Sequence, residues 1–432
     1  MELTKRSFLH CAAALMTSPA FAAAAADEWA VPGDLQAAMS QRATALVLRN
    51  IRGGGDDPIY RKPFLDAAFS GSIFLWDTCF MAAFAKYDLA NLPITNALDN
   101  FYTLQEADGY ICREYTGDGR PFWPKEHPVS INPPLLGWAE LELFGQSGDR
   151  ARLARVYPAL RAFHAFITTH YRQSDGLFFS DAFGSGMDNI TRCPPGWTDD
   201  GLGIALTNLH PELFVYDGLS PKWNRQGRSV DMSAQMALFS ENLATIAALI
   251  GRHDEARTYR RHHARIGAAV NRLCWSDADG FYHDLAYGRQ LPRRHIGMFW
   301  TMMAGIVPRR RLPAMLAHLT DPGQFWTRFP IASTPTDDPD YSPIGSYWRG
   351  SVWAPTNYMI IRGLTRVGEH GLARRLARQY YWCVAQVFKE TGTFWENYAP
   401  AALTKGSEAR SDFCGWTALV PLAIGREYIG AS

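Results

Sequence analysis

The chain has 432 residues, with Lys plus Arg at 43 against Asp plus Glu at 42. That balance leaves no basic excess for a nucleic acid or an anionic membrane surface, so neither is expected as a partner. Hydrophobic residues make up 47 % and charged residues 20 %, which fits a packed core in one large domain or two ordinary ones. The excess is aromatic, with 14 Trp, 18 Tyr and 24 Phe. Flat aromatic faces suit a Trp-rich core, and they also suit the apolar C–H faces of sugar rings when carboxylates stand beside them.

In chain order, Lys5 and Arg6 precede an apolar, Ala-rich run from Cys11 to Ala26, with Ala-x-Ala options from Ala20 onward. This reads as an export signal over 1–26, too short for a good membrane span, with the mature protein beginning near Asp27. Thr4-Lys5-Arg6-Ser7-Phe8-Leu9 resembles a twin-arginine signal with Lys in the first position. A periplasmic or secreted location is therefore expected. Six cysteines follow the signal, Cys79, Cys112, Cys193, Cys274, Cys383 and Cys414, far apart and without a CxxC pair. They read as free buried thiols for the most part, with one disulfide open, and not as a metal knuckle. His262-His263 follow two arginines and read as solvent-facing.

Helical periodicity is read at Ala151–Tyr171, Met232–Ile250, Glu255–Leu273, Arg309–Leu319, Trp353–Val367, Gly371–Phe388 and Trp416–Tyr428. Turn-plus-strand signals recur at Asp108-Gly109-Tyr110-Ile111, Asp175-Gly176-Leu177-Phe178, Asp279-Gly280-Phe281-Tyr282 and Thr391-Gly392-Thr393-Phe394. Paired helices punctuated in this way predict an all-α, single-domain (α/α)6 toroid over 27–432, with short β segments in its loops. The irregular stretches near 109–134, 180–230 and 321–348 would be loops on one rim, where sites collect.

Four clusters carry chemistry. In Phe74-Leu75-Trp76-Asp77-Thr78-Cys79-Phe80, Asp77 either caps a helix or binds sugar hydroxyls beside a stacking Trp76. In Gly184-Ser185-Gly186-Met187-Asp188-Asn189-Ile190-Thr191-Arg192, two glycines allow close backbone approach, and Asp188 is either a working carboxyl or part of an Asx turn. In Tyr347-Trp348-Arg349-Gly350-Ser351-Val352-Trp353, Arg349 binds hydroxyls, holds a catalytic carboxylate such as Glu396, or forms a structural salt bridge. In Phe394-Trp395-Glu396-Asn397-Tyr398, apolar surroundings would raise the Glu396 pKa, and a nearby arginine would lower it. Glu408 and Cys414-Gly415-Trp416-Thr417 follow.

Trp76-Asp77-x-x-Phe80, Asn132-Pro133-Pro134, Gly186-Met187-Asp188, Tyr347-Trp348-Arg349-Gly350-x-x-Trp353, Glu396-Asn397-Tyr398 and Gly415-Trp416-Thr417 stand in an order and spacing that resemble the helical-toroid glycosidases. That group includes trehalase, the processing α-glucosidases and mannosylglycerate hydrolase. The resemblance runs from about Gly71 to Gly425. It implies an inverting glycoside hydrolase acting on an α-linked glucoside or mannoside, with Asp188 as general acid and Glu396 as general base. It further implies substrate contacts from Trp76, Asp77, Asn189, Trp348, Arg349, Trp395, Glu408 and Trp416, and requires no metal or organic cofactor. Gly184 stands where trehalases carry a glutamate and Asn132 where a glutamine is common, so the trehalase signature is incomplete. No β-sandwich is read ahead of the helical run, and the compact size is similar to mannosylglycerate hydrolase.

The residue types suit the reaction. One carboxylic acid protonates the leaving oxygen while a second carboxylate activates water on the opposite ring face, which gives inversion. Two readings compete. A sugar epimerase would work through histidines, for which His127, His210, His283 and His295 are available. A non-catalytic sugar-binding protein would have no need of both carboxyls.

Overall fold

The computed structural model describes residues 28–67, 71–123, 125, 130–180, 184–192, 227–286 and 288–430, with the Cys414 side chain left out. The expected export signal, its cleavage near Asp27, Cys193, His127 and His210 lie outside these residues, as does much of the 180–230 loop.

Twelve helices are found among the described residues, and they alternate between an inner and an outer ring. The outer members are α1 (Gly33–Arg49), α3 (Ile94–Thr103), α5 (Arg150–Tyr171), α7 (His253–Leu273), α9 (Leu312–Thr320) and α11 (His370–Thr391). The inner members are α2 (Leu75–Ala85), α4 (Leu136–Ser147), α6 (Val230–Leu249), α8 (Trp300–Met303, entered through a 3-10 turn at Ile296–Phe299), α10 (Ala354–Arg366) and α12 (Cys414–Thr417, continued by a wide-wound helix at Val420–Ile429). Inner helices touch in the sequence α2, α4, α6, α8, α10, α12 and back to α2, and α1 packs on the last helix to complete the sixth hairpin. The fold is the expected (α/α)6 toroid.

Burial separates the two rings. Every residue of α2 is buried, as is nearly all of α6, so these helices are apolar all round, as core helices are. The outer α7 buries only Ala256, Ile266, Gly267, Ala269 and Val270 and turns a charged face outward. His262 and His263 are not on that face, contrary to expectation. His262 stacks 5.8 Å from the buried His164, and His263 bonds the Ala304 carbonyl at 2.9 Å. The helix ends also differ from the periodicity reading by up to three residues. The last helix breaks between α12 and its continuation, where Pro421 cannot donate to a regular α-helical bond.

Strands are two-residue pieces in antiparallel pairs, apart from one three-stranded sheet of Gly227–Arg228, Leu285–Ala286 and Arg289–Gln290. Residues Ile51–Arg52 pair with Phe64–Leu65, and Ile73–Phe74 with Glu114–Tyr115. Trp275–Ser276 pair with Phe281–Tyr282, as the Asp279-Gly280 turn signal predicts. The other three signals open no strand: 108–111 is loop, 175–178 gives one bridge from Phe178 to Arg172, and Gly392 ends α11. Cys79, Cys112, Cys274 and Cys383 are free and buried.

At the C-terminal end of the inner helices, Lys86 pairs with Glu142 and Glu427, and Arg362 pairs with the same two carboxylates at 2.7 and 3.6 Å. The Tyr87 and Tyr358 hydroxyls also donate to Glu427. These bonds tie α2, α4, α10 and the final helix together across the ring. Removing one member of a buried ionic network leaves the opposite charges uncompensated. Lys86→Ala is therefore expected to destabilise the fold by about 3–5 kcal/mol, measured by urea unfolding. A loss under about 1 kcal/mol would mean that Arg362 alone neutralises both carboxylates.

Candidate active site

All six inner helices begin at one end of the ring, and the segment 184–192 lies across that end. Gly186 adopts φ +78°, and a Cβ there would collide with the Trp76 ring at the start of α2. Only glycine lets this backbone rest on the indole. The Asn132 amide, ahead of α4, reaches the Gly184 carbonyl at 3.4 Å. Met187 packs so close to the turn that opens α8 that a Cβ on Gly297 would meet its Cε at 2.7 Å. Arg192 anchors the far end. Its guanidinium forks between Asp231, in the first turn of α6, and Asp284, both buried. Asp284 in turn accepts from Val230 N at 2.7 Å and from His295 Nε2 at 3.2 Å. The Arg192 charge holds the Asp284 carboxyl well below the usual carboxylate range, against its burial.

Asn189 staples this loop to the turn before α10. Its Nδ2 donates to Ser346 O at 3.1 Å, its Oδ1 accepts from Trp348 N at 2.6 Å, and its carbonyl accepts from Arg349 Nε at 3.4 Å. The staple brings the Tyr347 hydroxyl to 3.3 Å from Asp188 Oδ2. Arg113 Nη2 stands 3.9 Å from Asp188 Oδ1.

Asp77 and Glu396 complete a group of three carboxyls within electrostatic reach of one another. Asp77 is only 5 % exposed, and it is not a cap: Phe74 holds the cap position and Asp77 lies in the first turn of α2. Its Oδ1 meets no hydrogen-bond partner. Burial pushes the Asp77 carboxyl well above its ordinary range, with Arg113 opposing and Asp188 and Glu396 adding to the rise. Glu396 is 2 % exposed. Burial raises its carboxyl to about 7, opposed by the Arg410 charge and by a 3.3 Å bond from the Arg410 backbone N–H to Oε2. Glu396 does not brace Arg349, which makes no ion pair among the described residues.

The floor beneath the carboxyls is aromatic. Trp76 sits 5.9 Å from Trp348 and 5.6 Å from Trp416, and Trp348 stacks flat on Trp353 at 4.0 Å. The indole N–H groups of Trp76 and Trp416 are buried without a hydrogen-bond partner. Buried donors left in this way cost stability unless something bonds them, as a ligand would.

Trp76, Asp77, Asp188, Trp348, Glu396 and Trp416 are thus gathered at one end of the ring, and Asn189 and Arg349 in the bracket beside it. Two other candidates stand apart. Trp395 bonds Thr391 Oγ1 through its indole and lies under the Lys405 ammonium at 4.6 Å. Glu408 is exposed, and its charge reaches Glu396. Arg113, Arg192, Arg410 and Tyr347 were not among the site residues expected from the sequence. Only Arg113, which with Glu114 lies between Tyr110-Ile111-Cys112 and Tyr115, carries a comparable signal, charge set against an apolar run. His283 and His295 have both ring nitrogens engaged by protein groups, His283 by Asp279 and Arg293 O, His295 by Asp284 and Gly297 N. Neither is free for proton transfer to a substrate. Among the described residues no group of three or more His, Cys, Asp or Glu side chains could hold a metal ion, and no helix is long and apolar enough to cross a membrane.

Comparison with known proteins agrees with this fold. The family model described as the mannosylglycerate hydrolase MGH1-like glycoside hydrolase domain matches residues 73–417. A probable mannosyl-oligosaccharide glucosidase of Schizosaccharomyces pombe is 28 % identical over 79 % of this chain and 42 % of its own. The mannosylglycerate hydrolase MGH1 of Selaginella moellendorffii is 26 % identical over 71 % of this chain and 68 % of its own. The chain spans 62 % and 42 % of the length of two of the curated relatives it matches. Among solved structures, a GH63 mannosylglycerate hydrolase of Thermus thermophilus in complex with glucose superposes with TM-score 0.70 at 20 % identity, covering 89 % of this chain and 99 % of the other.

Gly186→Ala tests how the loop is seated. A Cβ would collide with Trp76 in a left-handed conformation that alanine disfavours. The variant is expected to stay folded, lose about 1–3 kcal/mol of stability by thermal unfolding, and show altered tryptophan fluorescence. An unchanged spectrum would mean that the loop does not rest on Trp76.

Proposed function

The chain belongs to the mannosylglycerate hydrolase MGH1-like glycoside hydrolase family, and from that premise we propose that it cleaves an α-linked glucoside or mannoside with inversion, Asp188 as general acid and Glu396 as general base. The observation that carries this reading is the meeting of Asp188 and Glu396 at one aromatic-floored site. The Tyr347 phenol touches the first carboxyl, and the charges of both act on it. Two carboxyl groups of distant origin, facing one sugar from different sides, are what an inverting hydrolysis requires. Trp76 supplies an apolar face for the ring. Asp77, with an oxygen unbonded, and Arg349, without a carboxylate partner, are the groups that bind hydroxyls. Trp348, Asn189 and Arg349 form the bracket that holds the acid loop beside the sugar, and Trp395 and Glu408 stand further out, beside Glu396.

The reaction follows from these positions. The Asp188 carboxyl gives its proton to the glycosidic oxygen as the bond from that oxygen to the anomeric carbon breaks. Glu396 takes a proton from water as the water oxygen bonds the anomeric carbon from the opposite face. The positive charge that develops on the sugar is stabilised by the surrounding carboxylates. The glucosidase and mannosylglycerate hydrolase names among the relatives support an α-linked glucoside or mannoside as substrate. The sequence signal at 1–26 supports action in the periplasm or outside the cell.

The pH profile tests the roles directly. A base must be unprotonated to work, and Glu396 is raised to about 7 by burial. kcat/KM, which reports the free enzyme, is therefore expected to rise with pH through about 7 on an α-glucoside or α-mannoside. Glu396→Gln should remove both that rising limb and most activity, about 10²–10⁴-fold. A kcat/KM that falls through about 7, with Glu396→Gln abolishing the fall, would mean that Glu396 carries the acid's proton and would overturn the assignment.

A further inference from the structure

We propose that Tyr347 is a positioning residue for the general acid, holding the Asp188 carboxyl through Oδ2 so that Oδ1 carries the proton toward the leaving oxygen. This rests on the assignment of Asp188 as acid given above and adds a residue to it.

The geometry is built for that contact. Tyr347 has φ +54°, a left-handed backbone that a large side chain adopts only when its surroundings impose it. The impositions are visible on every side. The Asn189 amide bonds the backbone on both flanks of the tyrosine, at Ser346 O and Trp348 N. The Tyr347 carbonyl accepts from Trp353 Nε1 at 3.3 Å, and its ring lies edge-on to Trp353 at 5.1 Å and 83°. The tyrosine is thus fixed by the residue next to Asp188 and by the indole that opens α10. Its hydroxyl ends 3.3 Å from Asp188 Oδ2. A strained turn stapled to a catalytic loop, with its one polar tip on the catalytic carboxyl, has no packing purpose that phenylalanine would not serve.

The phenol does not transfer a proton itself. Burial, then the charges of Asp188 and Glu396, hold it well above its ordinary range, so it remains a donor throughout. When Asp188 gives up its proton, the carboxylate left behind is a stronger acceptor, and the bond from Tyr347 tightens as the negative charge forms. An interaction that is stronger in the transition state than in the ground state raises kcat, not substrate affinity.

The test compares two substrates that differ in their need for an acid: a methyl α-glucoside or α-mannoside, and the α-glycosyl fluoride of the same sugar, whose leaving group departs without a proton. Tyr347→Phe keeps the ring, its packing and the turn. It is expected to lower kcat on the methyl glycoside about 10- to 100-fold, the scale of one hydrogen bond to a charged group, with KM little changed. On the fluoride it should lose less than about threefold, which is under 1 kcal/mol of barrier. The basic limb of the methyl glycoside profile should move to higher pH, because a donor that favours the Asp188 carboxylate is gone. Asp188→Asn is run beside it. Rescue of both variants by the fluoride supports the proposal. Rescue of Asp188→Asn with an equal loss of Tyr347→Phe on both substrates overturns the role of Tyr347 while leaving the acid in place. Failure of the fluoride to rescue Asp188→Asn overturns the acid assignment, and the Tyr347 proposal falls with it.

Discussion

Desolvation and like-charge repulsion at the mouth of the ring act together on Asp77 and Glu396, with Asp188 the third carboxyl in reach, and the surrounding structure is arranged around that constraint. Burial disfavours the ionised forms of Asp77 and Glu396, and three carboxylates in mutual reach cannot all ionise without matching positive charge. The positive charge at hand is Arg113 beside Asp188 and Arg410 beside Glu396, joined by the N-terminal ends of inner helices whose dipoles favour negative groups. The outcome is unequal. Asp77 is pushed well up, Glu396 rises to about 7, and Asp188 meets a phenol and a guanidinium.

The ring supplies the precision that this crowding needs. Each inner helix sends something to the acid loop or to the aromatic floor beneath it: Trp76 from α2, Asn132 from the approach to α4, Asp231 from α6, Gly297 from the turn into α8, Trp353 from the start of α10, and Trp416 from α12. Arg192 is the strongest of these ties, because two carboxylates from different parts of the chain close on one buried guanidinium. Losing any member would leave buried charge uncompensated. The loop that carries Asp188 is therefore held at a fixed place relative to the Glu396 turn, although the two come from distant hairpins.

What could be read from the sequence follows from how each element is buried. Outer helices such as α5, α7 and α11 face water on one side, so their 3.6-residue period stands out. The inner α2 is buried on every face, has no polar stripe to reveal a period, and passes as an apolar run. Helices α1, α3 and α4 and the four-residue α8 are likewise not predicted from the sequence. The site clusters were legible because each sets a charged or polar residue among aromatics, an arrangement that is costly without purpose. Arg192 lay inside a quoted cluster, yet its role needs Asp231 and Asp284, 39 and 92 residues away, and local sequence carries no trace of such pairing. Tyr347 was hidden between two more conspicuous neighbours. Its part depends on a left-handed backbone imposed by Asn189, which only coordinates reveal.

In the proposed reaction, water activated by Glu396 attacks the face of the sugar opposite the oxygen that Asp188 protonates. The most direct measurement is proton NMR of the sugar first released from an α-linked glucoside or mannoside, recorded before mutarotation equilibrates the anomers. The β anomer is expected to appear first, with the α anomer following by mutarotation. An initial α product would mean that the configuration is retained through a covalent intermediate, and would contradict the roles given to both carboxyls.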